Sequence, residues 1–154
     1  MDSVVYFDTI SEVLDSWERV KSVENYRELV GVALFDRMFE LAPEKCDVFP
    51  WKKEDFERKD PKFLAFAKKF VRMLDIAIDM LGPDMDIVEE QMYDLGVSHQ
   101  KYGVLPHHFD VMGQALEHTL QGILGSKFTP ATKNAWRKVY GFMTSNMIHG
   151  AAPV

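Results

Sequence analysis

The sequence predicts an all-α protein, and three observations support that prediction. Apolar residues recur at spacings of three and four along almost the whole chain, which is the period of an amphipathic helix. Neither Asn-Gly nor Asp-Gly occurs, and there is no sustained period-two alternation, so the usual signals of β-hairpins are missing. The 154 residues, 47% of them hydrophobic, suffice for a buried core and a pocket for one mid-sized ligand. We therefore expect residues 1–154 to form a single helical domain.

Charge and cysteine content narrow the possible functions. Asp and Glu outnumber Lys and Arg by 24 to 18, which gives a net charge of −6. Nucleic acids and anionic membranes attract basic surfaces, so neither is an expected partner. Cys46 is the only cysteine, so no internal disulfide is expected. The acidic N-terminus, and the lack of an apolar run long enough to cross a bilayer, predict a cytoplasmic protein.

The first two helices are predicted from capping and periodicity. Thr9-Ile10-Ser11-Glu12 has the form of a capping box, so the first helix is expected to begin at Thr9. Its inward face comprises Ile10, Val13, Leu14 and Trp17. The second helix runs from about residue 25 to 41, with an inward face of Tyr26, Leu29, Val30, Ala33, Leu34 and Met38.

Prolines mark the elements that follow. Pro43 begins a connection through Phe49, Pro50 and Trp51, and the charged stretch KKEDFERKD predicts one exposed helical turn. Asp60-Pro61 predicts a helix start, since a proline at the first helical position loses no hydrogen bond, and this helix is expected to reach Leu81. Later helices are expected to begin at Pro106, ending at Leu124, and at Pro130, ending near His149. Between residues 82 and 103 a shorter helix carries Val88, Met92, Leu95 and His99 on one face.

The histidines limit the possible metal chemistry. The first 98 residues contain none of the five, and no Glu is followed three residues later by His, so a di-iron bundle site is excluded. A tetrahedral zinc site needs four converging ligands, which one cysteine far from the histidines does not supply. His107, His108 and His118 are expected to be solvated or capping side chains. His99 differs, because its ring should point inward and bond the carbonyl near Leu95. It is either a satisfied core histidine or a single imidazole ligand to iron.

Three segments resemble the globin family. LGVSHQKYGVLPHHF is similar to the segment that carries the proximal histidine. VALFDRMFELAPEKCDVF is similar to the second and third globin helices, and FTPATKNAWRKVYGFM resembles the start of the last helix in neuroglobin-like globins. The resemblance extends from Trp17 to about Met147. It implies a globin fold of six to eight helices around a pocket that holds haem b.

The resemblance also implies roles for single residues. His99 would be the proximal iron ligand, and Phe49 would pack on the haem face. The proximal and central pocket would be lined by Leu95, Val104, Phe109 and Met112. On the distal side the resemblance implies Phe35, Phe66 at the position of the distal histidine, Lys69 and Phe70.

The distal side departs from the family pattern. Residues 25–82 contain neither His nor Gln, so the distal wall lacks the usual neutral hydrogen-bond donor, and a sixth histidine ligand is excluded. Losing a hydrogen bond to bound dioxygen costs roughly 1.5–3 kcal/mol, whereas carbon monoxide and nitric oxide depend less on it. Lys69 has two open interpretations. Its amine binds iron or a ligand, or its ammonium pairs with a haem propionate at the rim.

Three functions are compatible with this pattern. The first is reversible binding or transport of a diatomic gas, either O2, CO or NO. The second is nitric oxide dioxygenation, which would need a separate electron-donor reductase, because the chain has no room for a flavin domain. Peroxidase chemistry is disfavoured without a distal base. The third is an interaction module that senses a gas or redox state through haem and works with a partner, or that has lost haem, so that the apolar distal side is filled core.

Overall fold

The computed structural model describes residues 7–43, 54, 59–82, 85–100 and 106–151. Six α-helices form this part of the chain, and it contains no strand. They are α1 (Phe7–Lys21), α2 (Tyr26–Leu41), α3 (Pro61–Asp79), α4 (Met85–Gln100), α5 (Pro106–Leu124) and α6 (Pro130–Ala151), with a 3₁₀ turn at Gly125–Lys127. In these ranges no helix is long and apolar enough to span a bilayer.

The first helix begins two residues earlier than its capping-box pattern predicts. α1 starts at Phe7 rather than Thr9, and Asp8 lies in its first turn, where a carboxylate interacts favourably with the helix dipole. The predicted inward face is otherwise confirmed, since Ile10, Val13 and Trp17 are buried and Leu14 packs against the core.

The second helix confirms its predicted bounds but not its whole predicted face. Leu29 is 46% exposed, so its assignment to the inward face is wrong. The buried stripe passes instead through Val30, Gly31 and Leu34. At Gly31 the helix meets α3, because a Cβ atom there would lie 2.7 Å from the Ala67 carbonyl oxygen. α2 and α3 therefore cross almost backbone to backbone, which brings their side chains together on either side of the crossing.

The prolines mark three helix starts correctly, at Pro61, Pro106 and Pro130. Thr129 caps α6, since its hydroxyl oxygen accepts the Thr132 N–H at 3.2 Å. Asp60 occupies the N-cap of α3 without a side-chain capping bond. α3 ends at Asp79, two residues before the predicted end, and the charged turn around residues 52–58 lies mostly outside the described residues.

The last helix provides the support for α4. A Cβ atom on Gly96 would overlap the Met147 carbonyl, and one on Gly150 would overlap the Tyr93 carbonyl. Glycines at these two positions let α4 and α6 approach more closely than any residue with a Cβ atom would permit. The position of α4, and of every residue that it carries, is therefore set by the backbone of α6.

Candidate functional site

An aromatic cluster lies where α2 and α3 face each other. We define it as Phe35, Phe39, Phe63, Phe66 and Phe70. Phe35 is fully buried at its centre, with ring centroids 5.4 Å from Phe70 and 5.7 Å from Phe66. The structure thus brings together the three distal phenylalanines predicted from sequence. Phe63 and Phe39 complete the cluster, with ring centroids 6.0 and 6.4 Å from that of Phe35, and neither was predicted from the sequence.

The polar groups near this cluster lie at its exposed edge. Lys69, next to Phe70 on α3, is exposed. Lys59 pairs with Asp36 at 2.7 Å and lies 5.4 Å from the centre of the Phe63 ring. Lys59 was not predicted from the sequence, because only the fold brings it to α2. Ammonium groups at the rim of an apolar wall suit the carboxylates of an amphipathic ligand.

His99 lies on α4 with one ring nitrogen bonded as the sequence predicts. Its Nδ1 lies 2.7 Å from the Leu95 carbonyl oxygen one turn earlier. A carbonyl oxygen only accepts, so Nδ1 is the donor and the lone pair of the neutral ring resides on Nε2. Metal-ligating histidines use this arrangement, because the bond from the other nitrogen orients the ring and raises its basicity.

Phe109 on α5 lies beside the His99 ring and is itself anchored. The two ring centroids are 6.5 Å apart, and Phe109 is buried. Its carbonyl oxygen accepts a 2.6 Å hydrogen bond from the Tyr140 hydroxyl of α6. Burial raises the pKa of Tyr140 well above its ordinary value, so the phenol stays protonated and remains a donor. The Tyr140 ring reaches this place because it passes over Gly113, where a Cβ atom would lie only 2.8 Å from the ring.

The remaining predicted residues divide into two groups. Leu95 and Met112 are half-buried and pack against the core, to which the buried Met92, two turns before His99, belongs. Phe49 and Val104 lie outside the described residues, so their predicted roles stay predictions.

Two further residues on α5 and α3 differ from the sequence prediction or were not part of it. His108 is only 6% exposed, so it is not the solvated side chain that was one of its two predicted roles. It lies four residues before Met112 on α5 and shares its inward face, a spacing that could have revealed it. Met73 is 46% exposed and follows Phe66 by seven residues, which places it on the same side of α3 as the aromatic cluster.

The arrangement suits a metal that a cofactor brings with it. No group of three or more His, Cys, Asp or Glu side chains in the described ranges could hold a metal ion by itself. One oriented imidazole and a set of apolar ring faces leave the other ligands to a flat, hydrophobic group. The rim lysines then match polar substituents on such a group.

Comparisons with known proteins agree on one family. The family model described as Globin matches residues 32–147. The chain is 33% identical to the neuroglobin of Tetraodon nigroviridis over 126 residues, which is 79% of each chain. It is 31% identical to the neuroglobin of Danio rerio over 144 residues, or 91% of this chain and 88% of the relative.

A solved structure shares the fold. The hexacoordinated heme protein from an anhydrobiotic tardigrade superposes with a TM-score of 0.81, at 21% sequence identity, over 97% of this chain and 96% of that chain. This similarity confirms the all-α globin fold predicted from the sequence. The chain belongs to the globin family, and within that family it is similar to the neuroglobins.

Proposed function

We propose that the chain binds haem through His99 and reversibly binds a diatomic gas at the haem iron. The observation that carries this proposal is the 2.7 Å bond from His99 Nδ1 to the Leu95 carbonyl, which orients Nε2 as the ligand atom. When bound, haem supplies an iron with one open coordination position. Relatives named neuroglobin, and a structural neighbour named as a heme protein, support the choice of cofactor.

Residues from both sides of the pocket fit this cofactor. We propose that Phe35, Phe66 and Phe70 contact its distal face, and that Leu95, Phe109 and Met112 contact its proximal face, with Phe49 and Val104 completing the two sides. The exposed Lys69 would pair with a propionate at the rim. One cysteine excludes the Cys-x-x-Cys-His attachment of c-type haem, so a non-covalent haem b is proposed.

The aromatic cluster sets the proposed gas preference. Bound dioxygen carries partial negative charge and is stabilised by a hydrogen-bond donor, which three phenylalanine rings do not provide. Carbon monoxide is far less polarised, so its affinity depends mainly on space and on the proximal ligand. We propose that the protein binds carbon monoxide well, releases dioxygen quickly and oxidises readily to the ferric form.

Haem titration with spectra of the ferric, ferrous and carbonyl states tests this proposal. Wild-type protein should show a Soret band that shifts with carbon monoxide. In His99→Ala the five-coordinate ferrous spectrum should be lost, and added imidazole should restore it by filling the vacated space. His118→Ala, an exposed histidine on α5, is the matched control and should leave the spectra unchanged. A wild-type protein without a Soret band, or a His99→Ala protein with unaltered spectra, would contradict the proposal.

A further inference from the structure

A single buried carboxylate links three helices through hydrogen bonds from two aromatic side chains. Trp17 of α1 donates its indole N–H to Asp75 Oδ1 of α3 at 2.7 Å. Tyr26 of α2 donates its phenol O–H to Asp75 Oδ2 at 2.6 Å. Asp75 is 8% exposed. Each carboxylate oxygen therefore accepts a hydrogen bond from the N–H or O–H group of an oxidisable ring.

The rings form a continuous chain. The centroids of Trp17 and Tyr26 are 6.2 Å apart with an edge-on geometry, and those of Trp17 and Trp136 are 5.9 Å apart. Both tryptophans are buried, whereas Tyr26 is half-buried at the outer end. We call these three rings and Asp75 the aromatic relay.

We propose that Tyr26 is a one-electron oxidation site, reached through Trp17, with Asp75 as the base that accepts the phenol proton. The inference rests on the proposed function in one respect, because haem oxidised by hydrogen peroxide is the expected oxidant, in a reaction that is slow without a distal base and therefore needs excess peroxide. A protein whose ferrous form oxidises readily in air produces superoxide, and hence peroxide, at its own site. A path that moves the oxidising equivalent away from the pocket would limit damage there.

The step balances within the relay and its oxidant. Trp17 loses one electron to the oxidant, and its indole proton moves to Asp75 Oδ1. Tyr26 then gives one electron to Trp17 and its phenol proton to Asp75 Oδ2, while the first proton returns to the indole nitrogen. The net change is one electron passed from Tyr26 to the oxidant and one proton passed from the phenol to Asp75. One electron from a small reductant of the ascorbate type, together with return of that proton, restores the phenol.

Arg27 favours a neutral radical as the product. Its guanidinium carbon lies 5.7 Å from the centre of the Tyr26 ring, and a cation there opposes a radical that keeps its proton. Arg27 Nε also donates to the Tyr26 oxygen at 3.3 Å and to Asp75 Oδ2 at 3.2 Å. The Arg27 side chain is 47% exposed, so an anionic reductant can approach this end of the relay from solvent.

Tyr140 provides an internal contrast. It is half-buried, as Tyr26 is, but its hydroxyl donates to the Phe109 carbonyl, a group that does not take up a proton in neutral solution. In this contact the Tyr140 phenol is therefore not hydrogen-bonded to a base, although the Asp110 carboxylate acts on it electrostatically. The two tyrosines therefore differ in the one property that the proposal requires.

The test is electron paramagnetic resonance of the haem-loaded ferric protein after mixing with hydrogen peroxide. A neutral tyrosyl signal is expected, and spin-trap adducts mapped by peptide mass spectrometry should lie on Tyr26. Tyr26→Phe should lose that signal and move the adduct to Trp17. Tyr140→Phe and the exposed Tyr93→Phe should both retain it. Asp75→Asn keeps the size of the side chain but removes the base, so the tryptophan radical should persist longer.

Several results would overturn the proposal. They are an unchanged tyrosyl signal in Tyr26→Phe, an equal loss in Tyr140→Phe, or wild-type adducts confined to other tyrosines. The wild-type mapping needs no variant, so a poorly folded variant does not leave the question open. A missing Soret band would count against the proposed function instead. In that case azidyl radicals oxidise tryptophan in the full chain without haem, and absence of transfer from tryptophan to Tyr26 would overturn the relay.

Discussion

Between α2 and α3, phenylalanine rings contact one another, whereas on α4, α5 and α6 polar side chains are anchored to backbone carbonyls. Phe35 contacts its neighbours at ring centroid distances of 5.4 to 6.4 Å. On the other side His99 bonds the Leu95 carbonyl and Tyr140 bonds the Phe109 carbonyl. Gly96 adds a direct backbone contact with α6.

The two regions differ in how strictly their contacts fix the orientation of a side chain. Apolar contacts depend on area rather than on angle, so rings of the aromatic cluster can shift while keeping most of their burial. Hydrogen bonds to carbonyls and glycine contacts hold a side chain at one place. In the proposed function, the His99 side would therefore position a ligand atom, and the aromatic cluster would exclude water and polar groups.

Truncation of the central ring should have the largest effect. Phe35→Ala removes a fully buried ring with four aromatic neighbours and is expected to lower the free energy of unfolding by about 3–5 kcal/mol. Denaturant unfolding measures this loss. Phe66→Ala, at the half-buried edge of the cluster, should cost clearly less. Equal losses for the two variants would show that Phe35 is not the centre of the cluster.

Breaking the backbone contact between α4 and α6 should have the second largest effect on stability. Gly96→Ala places a methyl group against the Met147 carbonyl, and the forced separation of α4 and α6 should cost about 1–3 kcal/mol. Gly141→Ala on α6 is the matched control, since nothing lies within 4 Å of its Cβ position. That control should be stabilised by about 0.5–1 kcal/mol through helix propensity. A neutral Gly96→Ala would contradict the close approach.

Adding a donor to the distal side should make the two sides more alike. Phe66→His places an imidazole at the edge of the aromatic cluster and should slow dioxygen release by about one to two decades, equivalent to about 1.5–3 kcal/mol. Flash photolysis and stopped-flow mixing measure that rate. Phe66→Leu is the control without a donor. An unchanged release rate in Phe66→His would mean that the ring is not directed at the bound gas.

Removing the Tyr140 hydroxyl should have a smaller effect, with a distinct pH dependence. Tyr140→Phe is expected to lose about 0.5–1.5 kcal/mol at neutral pH. The folded protein holds the pKa of Tyr140 above its value in the unfolded chain, so the unfolded state loses this proton first as pH rises. Wild-type stability should therefore fall above about pH 10, and this part of the fall should be absent in Tyr140→Phe. Parallel pH profiles would contradict the assignment.

Lys69→Ala should have the smallest effect. The side chain is exposed, so unfolding should change by less than about 0.5 kcal/mol. The ferric spectrum should stay the same if the ammonium pairs with a propionate. A six-coordinate low-spin spectrum that collapses in Lys69→Ala would establish lysine ligation instead.

Local sequence signals were sufficient to predict most of the helices. Proline at the first helical turn identified three helix starts, because it acts within the turn that contains it. The His99 bond was also predictable, since a helical side chain reaches the carbonyl four residues earlier. Leu29 was wrongly assigned to the inward face because it lies at the border of the buried stripe. At that border a small rotation of the helix decides whether a residue points inward or outward.

Contacts between segments that are distant in sequence could not be predicted from local signals of this kind. Asp75 meets Trp17 across 58 residues, and Lys59 meets Asp36 across 23, so neither pair shares any local pattern. The near-contact of α4 with α6 at Gly96 depends on how two helices cross. Sequence periodicity reports which face of a helix is apolar, but not which helix covers that face.

The C–O stretching frequency of the carbonyl complex tests the central claim, a dry distal side opposite an anchored histidine, most directly. This frequency falls when a hydrogen-bond donor or positive charge lies next to the bound ligand. The account predicts one high-frequency band that does not change with pH or in Lys69→Ala, and a new lower band in Phe66→His. A low-frequency band in the wild-type protein, lost in Lys69→Ala, would contradict it.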